Sequence, residues 1–470
     1  MFKPILFVLL TIAAAFHAHS EPATKPHILF VIADDLTFRD IGCYGGQALT
    51  PHIDKLATEG MRFTRCFQTM PMCSPTRHTI LTGLYPVKSG AYTNHTFVHH
   101  HVKSIVHYLK PLGYRVALSG KTHIGPKTAF PFEYSTGDKQ SAINFDAVES
   151  IMKESTSTGK PFAIFACSNE PHEPWNKGRK FRNLYDPAKL KLRPYLLDTP
   201  ETREAYREYL CEVSHFDGEV GRLLELLDRH GLRENTLVMV VSEQGNSFPF
   251  AKWSLYDSGL QSALIVRWPG KVQPATNANA MVEYVDITPT FITSAGENAP
   301  PDIDGRSFLP VLLGKTDKHK SHVFGMQTTR GIYDGPHHFP IRSVRDEQHK
   351  LILNLDPKAD FKCMINNSPW FRSWQSLAES GDENARATLA RYTRRPAIEL
   401  YDIIKDPYEL NNLASDPDLA ETIKRLRGTL DAWMIDQGDK GMQTELSAFE
   451  RMLSGNAEYK AWALENKPKK

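Results

Sequence analysis

Short apolar runs that each stop on polar or charged residues constrain this chain's fold more than any other feature. His27-Ile-Leu-Phe-Val-Ile-Ala33 ends in Asp34-Asp35, and Arg115-Val-Ala-Leu-Ser119 precedes Gly120-Lys121. Pro161-Phe-Ala-Ile-Phe-Ala-Cys-Ser168 precedes Pro171-His172, and Thr236-Leu-Val-Met-Val-Val241 precedes Ser242-Glu243-Gln244-Gly245. Ala263-Leu-Ile-Val266 leads into Trp268-Pro269-Gly270. Runs this short and this continuous read as strands buried on both faces of a parallel sheet. Helical patterns separate them. From Thr202 to Arg229 the apolar positions Tyr206, Tyr209, Leu210, Val213, Phe216, Val220, Leu223, Leu224 and Leu227 step by three and four, and Gly231 supplies a stop. Val102 to Lys110 predicts a shorter helix, ended by Pro111-Leu-Gly113. The alternation implies a layered α/β domain with a mostly parallel sheet. Ligands of such sheets bind outside the carboxyl ends of the strands. Asp34, Asp35, Lys121, His172, Glu243 and Gln244 all fall there, so one site assembled from distant segments is expected.

After about residue 340 the pattern changes. Lys350-Leu-Ile-Leu-Asn354 and Glu399-Leu-Tyr-Asp402 read as strands, and a helix follows from about Asp418 to Trp433. With 470 residues, one large and one small domain are expected. The division falls at 25–345 and 346–470, the second part a smaller α+β domain with a short antiparallel sheet and a packed helix. Residues 1–20 read as a signal peptide. Lys3 is its positive start, Ile5 to Phe16 its apolar run, and Ala18-His19-Ser20 its cleavage site. The chain is therefore expected to be exported, periplasmic or secreted, and not stably inserted in a membrane. The Lys-Pro-Lys-Lys end reads as a frayed tail. Lys+Arg number 56 against 54 Asp+Glu, a formal charge of +2, which gives no argument for a nucleic-acid partner. Six cysteines are too few for a disulfide scaffold.

The sharpest motif is Pro71-Met72-Cys73-Ser74-Pro75-Thr76-Arg77, continued by Leu81-Thr82-Gly83. Through Cys-x-Pro-x-Arg and Leu-Thr-Gly the chain resembles the type I sulfatase family, over nearly all of its mature length. The resemblance implies an alkaline-phosphatase-like α/β domain. It also implies that Cys73 is oxidised to formylglycine by a formylglycine-generating or sulfatase-maturating enzyme. One hydroxyl of the aldehyde hydrate attacks sulfur in that family. A serine would be left as a stable sulfate ester, whereas a hemiacetal-like ester can collapse and regenerate the aldehyde. Arg77 is expected to hold the nucleophile's surroundings and offset negative charge.

Adjacent carboxylates at a strand end repel each other and are expensive without a cation. Asp34 and Asp35 match the family's metal site, which implies a hard divalent ion with oxygen ligands, Ca²⁺ typically and Mg²⁺ otherwise. Without that match the pair would read as a solvated acidic loop or a helix N-cap. The second half of such a site usually reads Ser/Thr-x-Asp-His/Asn-Gly. Here Glu243 and Gln244 occupy it, each one methylene longer. A carboxylate and an amide oxygen are retained, and Cys73 completes the expected set.

Gly113 to Gly125 resembles the family's second signature, departing from it at Val116 and Thr122 but keeping Lys121 and His123. The resemblance implies that Lys121 holds the sulfate and that His123 contacts the formylglycine hydroxyl. Pro171-His172-Glu173-Pro174 matches a third segment, whose histidine protonates the leaving oxygen. Lys252-Trp253, followed by Tyr256-Asp257-Ser-Gly259, matches a region whose lysine also contacts sulfate. Cations converging on one point suggest a site made for an anion. The reading is a hydrolase releasing sulfate from a sulfate ester or sulfamate of a sulfated carbohydrate. The Ser-Glu-Gln-Gly to Lys-Trp stretch resembles exported sulfatases similar to N-sulfoglucosamine sulfohydrolase. A phosphonate monoester or phosphodiester hydrolase of the same superfamily and a non-catalytic secreted polyanion-binding protein are the alternatives. Asn94-His95-Thr96 and Asn366-Asn367-Ser368 read as glycosylation sequons, and His99-His100-His101 as surface or cleft loop. Phe248, Phe250 and Trp253 could either stack on a sugar or fill the core.

Overall fold

The structure, a computed structural model, describes residues 25–135 and 141–455. The expected signal segment and the basic C-terminal tail lie outside the described residues. The main sheet holds β1 (His27–Ile32), β2 (Met61–Phe67), β3 (Arg115–Gly120), β4 (Glu133–Tyr134), β5 (Phe162–Cys167), β6 (Thr236–Val241), β7 (Gln261–Arg267), β8 (Thr276–Ala278) and β9 (Val282–Glu283). Its order is β4-β3-β5-β1-β6-β7-β2-β8, with β9 beside β2. β1 lies between β5 and β6 and runs parallel to both. Only β7 is antiparallel to its neighbours β6 and β2, so the sheet is mostly parallel and mixed at that one strand.

β1 shows why this sheet is the core. Every residue in it is buried. Leu29 and Val31 face one apolar layer and Ile28, Phe30 and Ile32 the other, the period-two alternation of a strand covered on both sides. The long helix spans Pro200–Arg229. It starts two residues before the apolar pattern does, because Pro200 suits its first turn and the Thr199 hydroxyl accepts the Thr202 N–H at 3.1 Å. Its stripe from Tyr206 to Leu227 packs on the first layer. The expected 102–110 helix is shorter, Ile105–Leu109 with a tightened turn at Lys110–Leu112. Ser104 caps it, and Pro111 prevents its continuation.

A second, antiparallel sheet holds β10 (Val323–Gln327), β11 (Ile341–Arg345), β12 (His349–Asn354) and β13 (Ile398–Asp402) in that order. Two of its strands precede residue 346, the expected division. The Ala420–Gln437 helix packs on β11 and β12. Buried Asp257 joins the sheets: its carboxylate meets Arg345 at 2.5 Å and Lys350 at 2.8 Å. Among the described residues no helix is long and apolar enough to cross a membrane.

Candidate active site

The carboxyl ends of β1, β3, β5 and β6 converge, and the chain changes direction sharply at each. Asp34 and Asp35 follow β1, Lys121 follows β3, and Glu243 and Gln244 follow β6. Asp35 and His123 adopt φ values of 63° and 50°, left-handed turns that aim their side chains inward at some conformational cost. Cys73 opens the Cys73–Thr82 helix, every residue of which is buried. Trp253 has φ 63°, and its backbone N–H donates to the Pro71 carbonyl at 3.2 Å, tying the Lys252 segment to the loop before Cys73.

Asp34, Asp35, Cys73, Arg77, Lys121, His172, Glu243, Gln244 and Lys252 come together here, and His123, two residues past Lys121, meets His95. Asp34, Asp35, Cys73 and Glu243 offer ligand atoms all within 4.8 Å of one another. The Gln244 amide lies 3.0 Å from the Cys73 sulfur and also contacts Asp35. Lys121 donates to Asp34, and Lys252 donates to Asp35 at 2.6 Å. Arg77 Nε stands 2.6 Å from Glu243 Oε1, close but not aligned as a hydrogen bond, so neither Glu243 oxygen has a hydrogen-bond donor. Arg77 also donates to the Lys121 carbonyl at 3.1 Å. His172 Nδ1–H donates to the Glu173 carbonyl at 2.6 Å, which turns Nε2 toward Lys252 at 3.2 Å and Asp35 at 3.5 Å.

Charge explains the titration of these groups. Burial pushes the Cys73 thiol up, but the Lys121 and Lys252 ammoniums outweigh it and hold the thiol below its ordinary value. Burial also opposes ionisation of Asp34, yet Lys121 holds its carboxyl well below the usual range. Glu243 goes the other way: burial, with Asp34 beside it, lifts it well above that range despite Arg77. Burial and Lys252 disfavour a proton on His172, and the Asp35 and Asp34 carboxylates reverse this, raising it. Burial, then His95 and Lys121, push His123 well down, so it is neutral.

The donor set fits a hard cation. Asp34 Oδ1, both Glu243 oxygens and Gln244 Oε1 are buried and accept no hydrogen bond. Orphaned carboxylate oxygens are costly unless a cation satisfies them. A half-turn of the Gln244 amide would bring its oxygen into the same cluster.

The sulfatase family profile matches residues 26–297. The chain belongs to the sulfatase family. A second profile, the C-terminal region of N-sulphoglucosamine sulphohydrolase, matches residues 245–364. An ulvan-active sulfatase of Formosa agariphila is 32% identical over 432 residues, which cover 89% of this chain and 82% of that one. Human N-sulphoglucosamine sulphohydrolase is 28% identical over 485 residues, covering 92% and 94%. A structure solved in complex with its substrate D-glucosamine-2-N,6-O-disulfate superposes with a TM-score of 0.68 at 21% identity, covering 88% and 99%, a likeness of fold. This sulfatase is accordingly a sulfuric ester hydrolase.

Three neighbours of the cluster were not legible in the sequence. His95 Nδ1 lies 2.6 Å from His123 Nε2. The Ser247 hydroxyl donates to Asp35 at 3.1 Å. Tyr333 places its ring 5.9 Å from that of His95. The signal for His95 was hidden inside the sequon at 94–96. Asn94 is buried, and its amide donates to the Gly331 carbonyl at 3.2 Å, so the folded chain offers no glycan acceptor there. The Asn366 side chain accepts the Cys363 N–H at 3.0 Å. His99 and His101 stack on each other, 5.6 Å apart. Phe248, Phe250 and Trp253 are core residues in this sulfatase, Phe248 lying between Trp175 and Trp370.

Proposed function

We propose that this sulfatase hydrolyses a sulfate ester or sulfamate of a carbohydrate at a formylglycine formed from Cys73. Asp34, Asp35, Glu243 and Gln244 would hold Ca²⁺ beside it. The observation that carries this reading is the set of buried, donor-less oxygens gathered around the Cys73 sulfur. A hydrated aldehyde there supplies the hydroxyl that takes the sulfuryl group and gives it up as free sulfate. A divalent cation supplies fixed positive charge next to it.

The remaining work belongs to the chain's own side chains. Lys121 and Lys252 sit in a water-poor pocket where a fixed charge counts for far more than in solution, and they bind the sulfate oxygens. Each also pairs with a carboxylate, Lys121 with Asp34 and Lys252 with Asp35, which fixes where its ammonium points. Arg77 braces Glu243 and the carbonyl of Lys121, which orients both. His172 carries a proton at Nε2 toward the leaving oxygen, and the Asp35 carboxylate favours that proton. His123, held neutral, accepts a proton from the nucleophilic hydroxyl, with His95 fixing its ring.

The substrate class rests on the relatives, whose names record activity on ulvan and on N-sulphoglucosamine. Export behind the 1–20 leader, with oxidation of Cys73 by a formylglycine-generating enzyme, completes the reading. The test incubates the exported protein with ulvan oligosaccharides and with N-sulfoglucosamine and follows free sulfate. Peptide mass spectrometry reads residue 73 in parallel. Sulfate release with an aldehyde at residue 73, lost in Cys73→Ala, is expected. Sulfate release from protein carrying only the thiol would overturn the nucleophile. Faster cleavage of an aryl phosphonate than of the matched aryl sulfate would move the enzyme to the phosphonate hydrolases.

A further inference from the structure

The charged cluster explains how a sulfate is held but not how a sugar is. The aromatic residues nearest in sequence to Glu243 and Gln244 cannot serve, because Phe248, Phe250 and Trp253 are buried in the core. The second sheet supplies a different one. Tyr333, in the loop between β10 and β11, is 40% exposed and is the one aromatic among the large apolar side chains left exposed in the described residues. Its ring leans on His95, which holds His123. His123 stands two residues past Lys121, so the contacts of Tyr333 with His95 and of His95 with His123 carry the ring to the edge of the reactive cluster.

The loop that carries Tyr333 is fixed. The Asn94 N–H donates to the Arg330 carbonyl at 3.2 Å, and the Asn94 amide meets the Gly331 carbonyl. Gly331 has φ 87°, and a Cβ there would lie 2.5 Å from that of Asn94, so only glycine permits this docking. On the other side, the Met364 N–H donates to the Tyr333 carbonyl at 2.8 Å. Met364 is also 40% exposed. An exposed aromatic ring, with an exposed thioether joined to it through the backbone, offers apolar surface of the kind that orients ligands.

We propose that Tyr333, with Met364 beside it, is the platform on which the sugar ring bearing the sulfate rests. The apolar C–H face of a pyranose lies against the phenol ring while its sulfate enters the cluster. This inference rests on the carbohydrate reading given above.

Tyr333→Ala and Tyr333→Phe are compared with wild type on ulvan oligosaccharides and on N-sulfoglucosamine. Inhibition by inorganic sulfate is measured alongside, because sulfate fills the charged cluster without a sugar. Tyr333→Ala is expected to raise KM about tenfold on the better saccharide, with kcat within about twofold and the sulfate inhibition constant unchanged. Tyr333→Phe, which keeps the ring, is expected to behave as wild type. An unchanged KM in Tyr333→Ala overturns the platform. So does a Tyr333→Phe variant as impaired as the alanine, which would assign the role to the hydroxyl. A sulfate inhibition constant that rises in step with KM overturns it too, by showing collapse of the pocket. If the wild type releases sulfate from neither saccharide, the carbohydrate reading fails and the platform with it.

Discussion

Replacing Lys121 by methionine separates its ion pair with Asp34 from the sulfate contact proposed for it. The side chain is 1% exposed and donates to Asp34, which is itself fully buried. The next cation is Arg77, whose Nη2 is 4.0 Å from Asp34 Oδ1. Methionine matches lysine through its fourth side-chain atom and removes the ammonium with its charge. The backbone stays anchored, since the Lys121 N–H donates to the Cys167 carbonyl at 2.8 Å and its own carbonyl accepts from Arg77. A carboxylate stranded in this way costs about 3–5 kcal/mol. The unfolding entropy of a chain this long is about 1 kcal/mol/K, so the expected drop in Tm is about 3–5 °C. If Asp34 is a calcium ligand, the ion replaces the lost charge. Thermal scans in chelator should then show the full drop, and scans in excess calcium less than about half of it. The second role is kinetic: kcat/KM should fall by about 10²–10³ whether or not calcium is in excess, as for the loss of one donor to a transition-state oxyanion. An equal drop in Tm in both buffers would remove Asp34 from the ion, and an unchanged rate would remove Lys121 from the sulfate.

Asp286 gives a prediction in acid. Burial opposes its ionisation, but Lys320 and the His319 hydrogen bond hold its carboxyl at about 2 against an ordinary 3.8. The folded value is the lower one, so its stabilisation, at most about 2 kcal/mol, is complete above 3.8 and is lost as pH falls from there toward 2. Asp286→Asn should flatten that part of the Tm–pH curve, and a slope equal to wild type would refute the assignment. Phe248→Ala should cost about 3–5 kcal/mol by leaving a cavity against Trp175 and Trp370. A variant with unchanged Tm but a raised KM would return Phe248 to the substrate. Glu243→Asp and Gln244→Asn should each weaken metal binding, and the double variant should recover part of the loss, as residues acting on one ion are non-additive. Metal content that is wild-type in Glu243→Ala would take Glu243 out of the ligand set. His95→Ala should lower kcat about tenfold and leave inhibition by sulfate unchanged, and a wild-type kcat would show that His123 needs no support.

The carboxyl ends of the strands were legible because apolar and polar residues change over abruptly there. Asp34, Lys121, His172 and Glu243 stand within a few residues of a strand that is buried on both faces. β2 was harder to see. Arg62 and Arg65 break its apolar pattern, and a bulge between Phe63 and Cys66 shifts its register against β7. The reversed direction of β7 has no local signal at all, since strand direction is decided by how the chain returns to the sheet. The same holds for His95 and Tyr333. Each sits in a polar loop whose sequence resembles any other, and the two loops are brought together by tertiary hydrogen bonds such as those of Asn94 to the Arg330 and Gly331 carbonyls. The division near 345 followed a change of composition, whereas the second sheet recruits β10 and β11 from before that change.

Glu243-Gln244 departs from the Asp-His/Asn pair usual in sulfatases, and the backbone around it makes that departure informative. A longer ligand can be accommodated by moving the chain back or by moving the ion. The chain here has nowhere to retreat. The Ala263 N–H donates to the Ser242 hydroxyl at 2.8 Å, and Tyr284 donates to the Ser242 carbonyl. A Cβ on Gly245 would lie 2.0 Å from the Ser258 carbonyl oxygen, so the segment is already pressed against its neighbour on the far side. With both ends pinned, the extra methylenes carry the carboxylate and amide further into the cluster, toward Arg77 and Cys73 respectively. Lengthening only one of the two would tilt the pair across the site, whereas lengthening both advances them together. If Glu243 and Gln244 hold a cation together with Asp34 and Asp35, as proposed, their matched lengths let both reach it without dismantling the site.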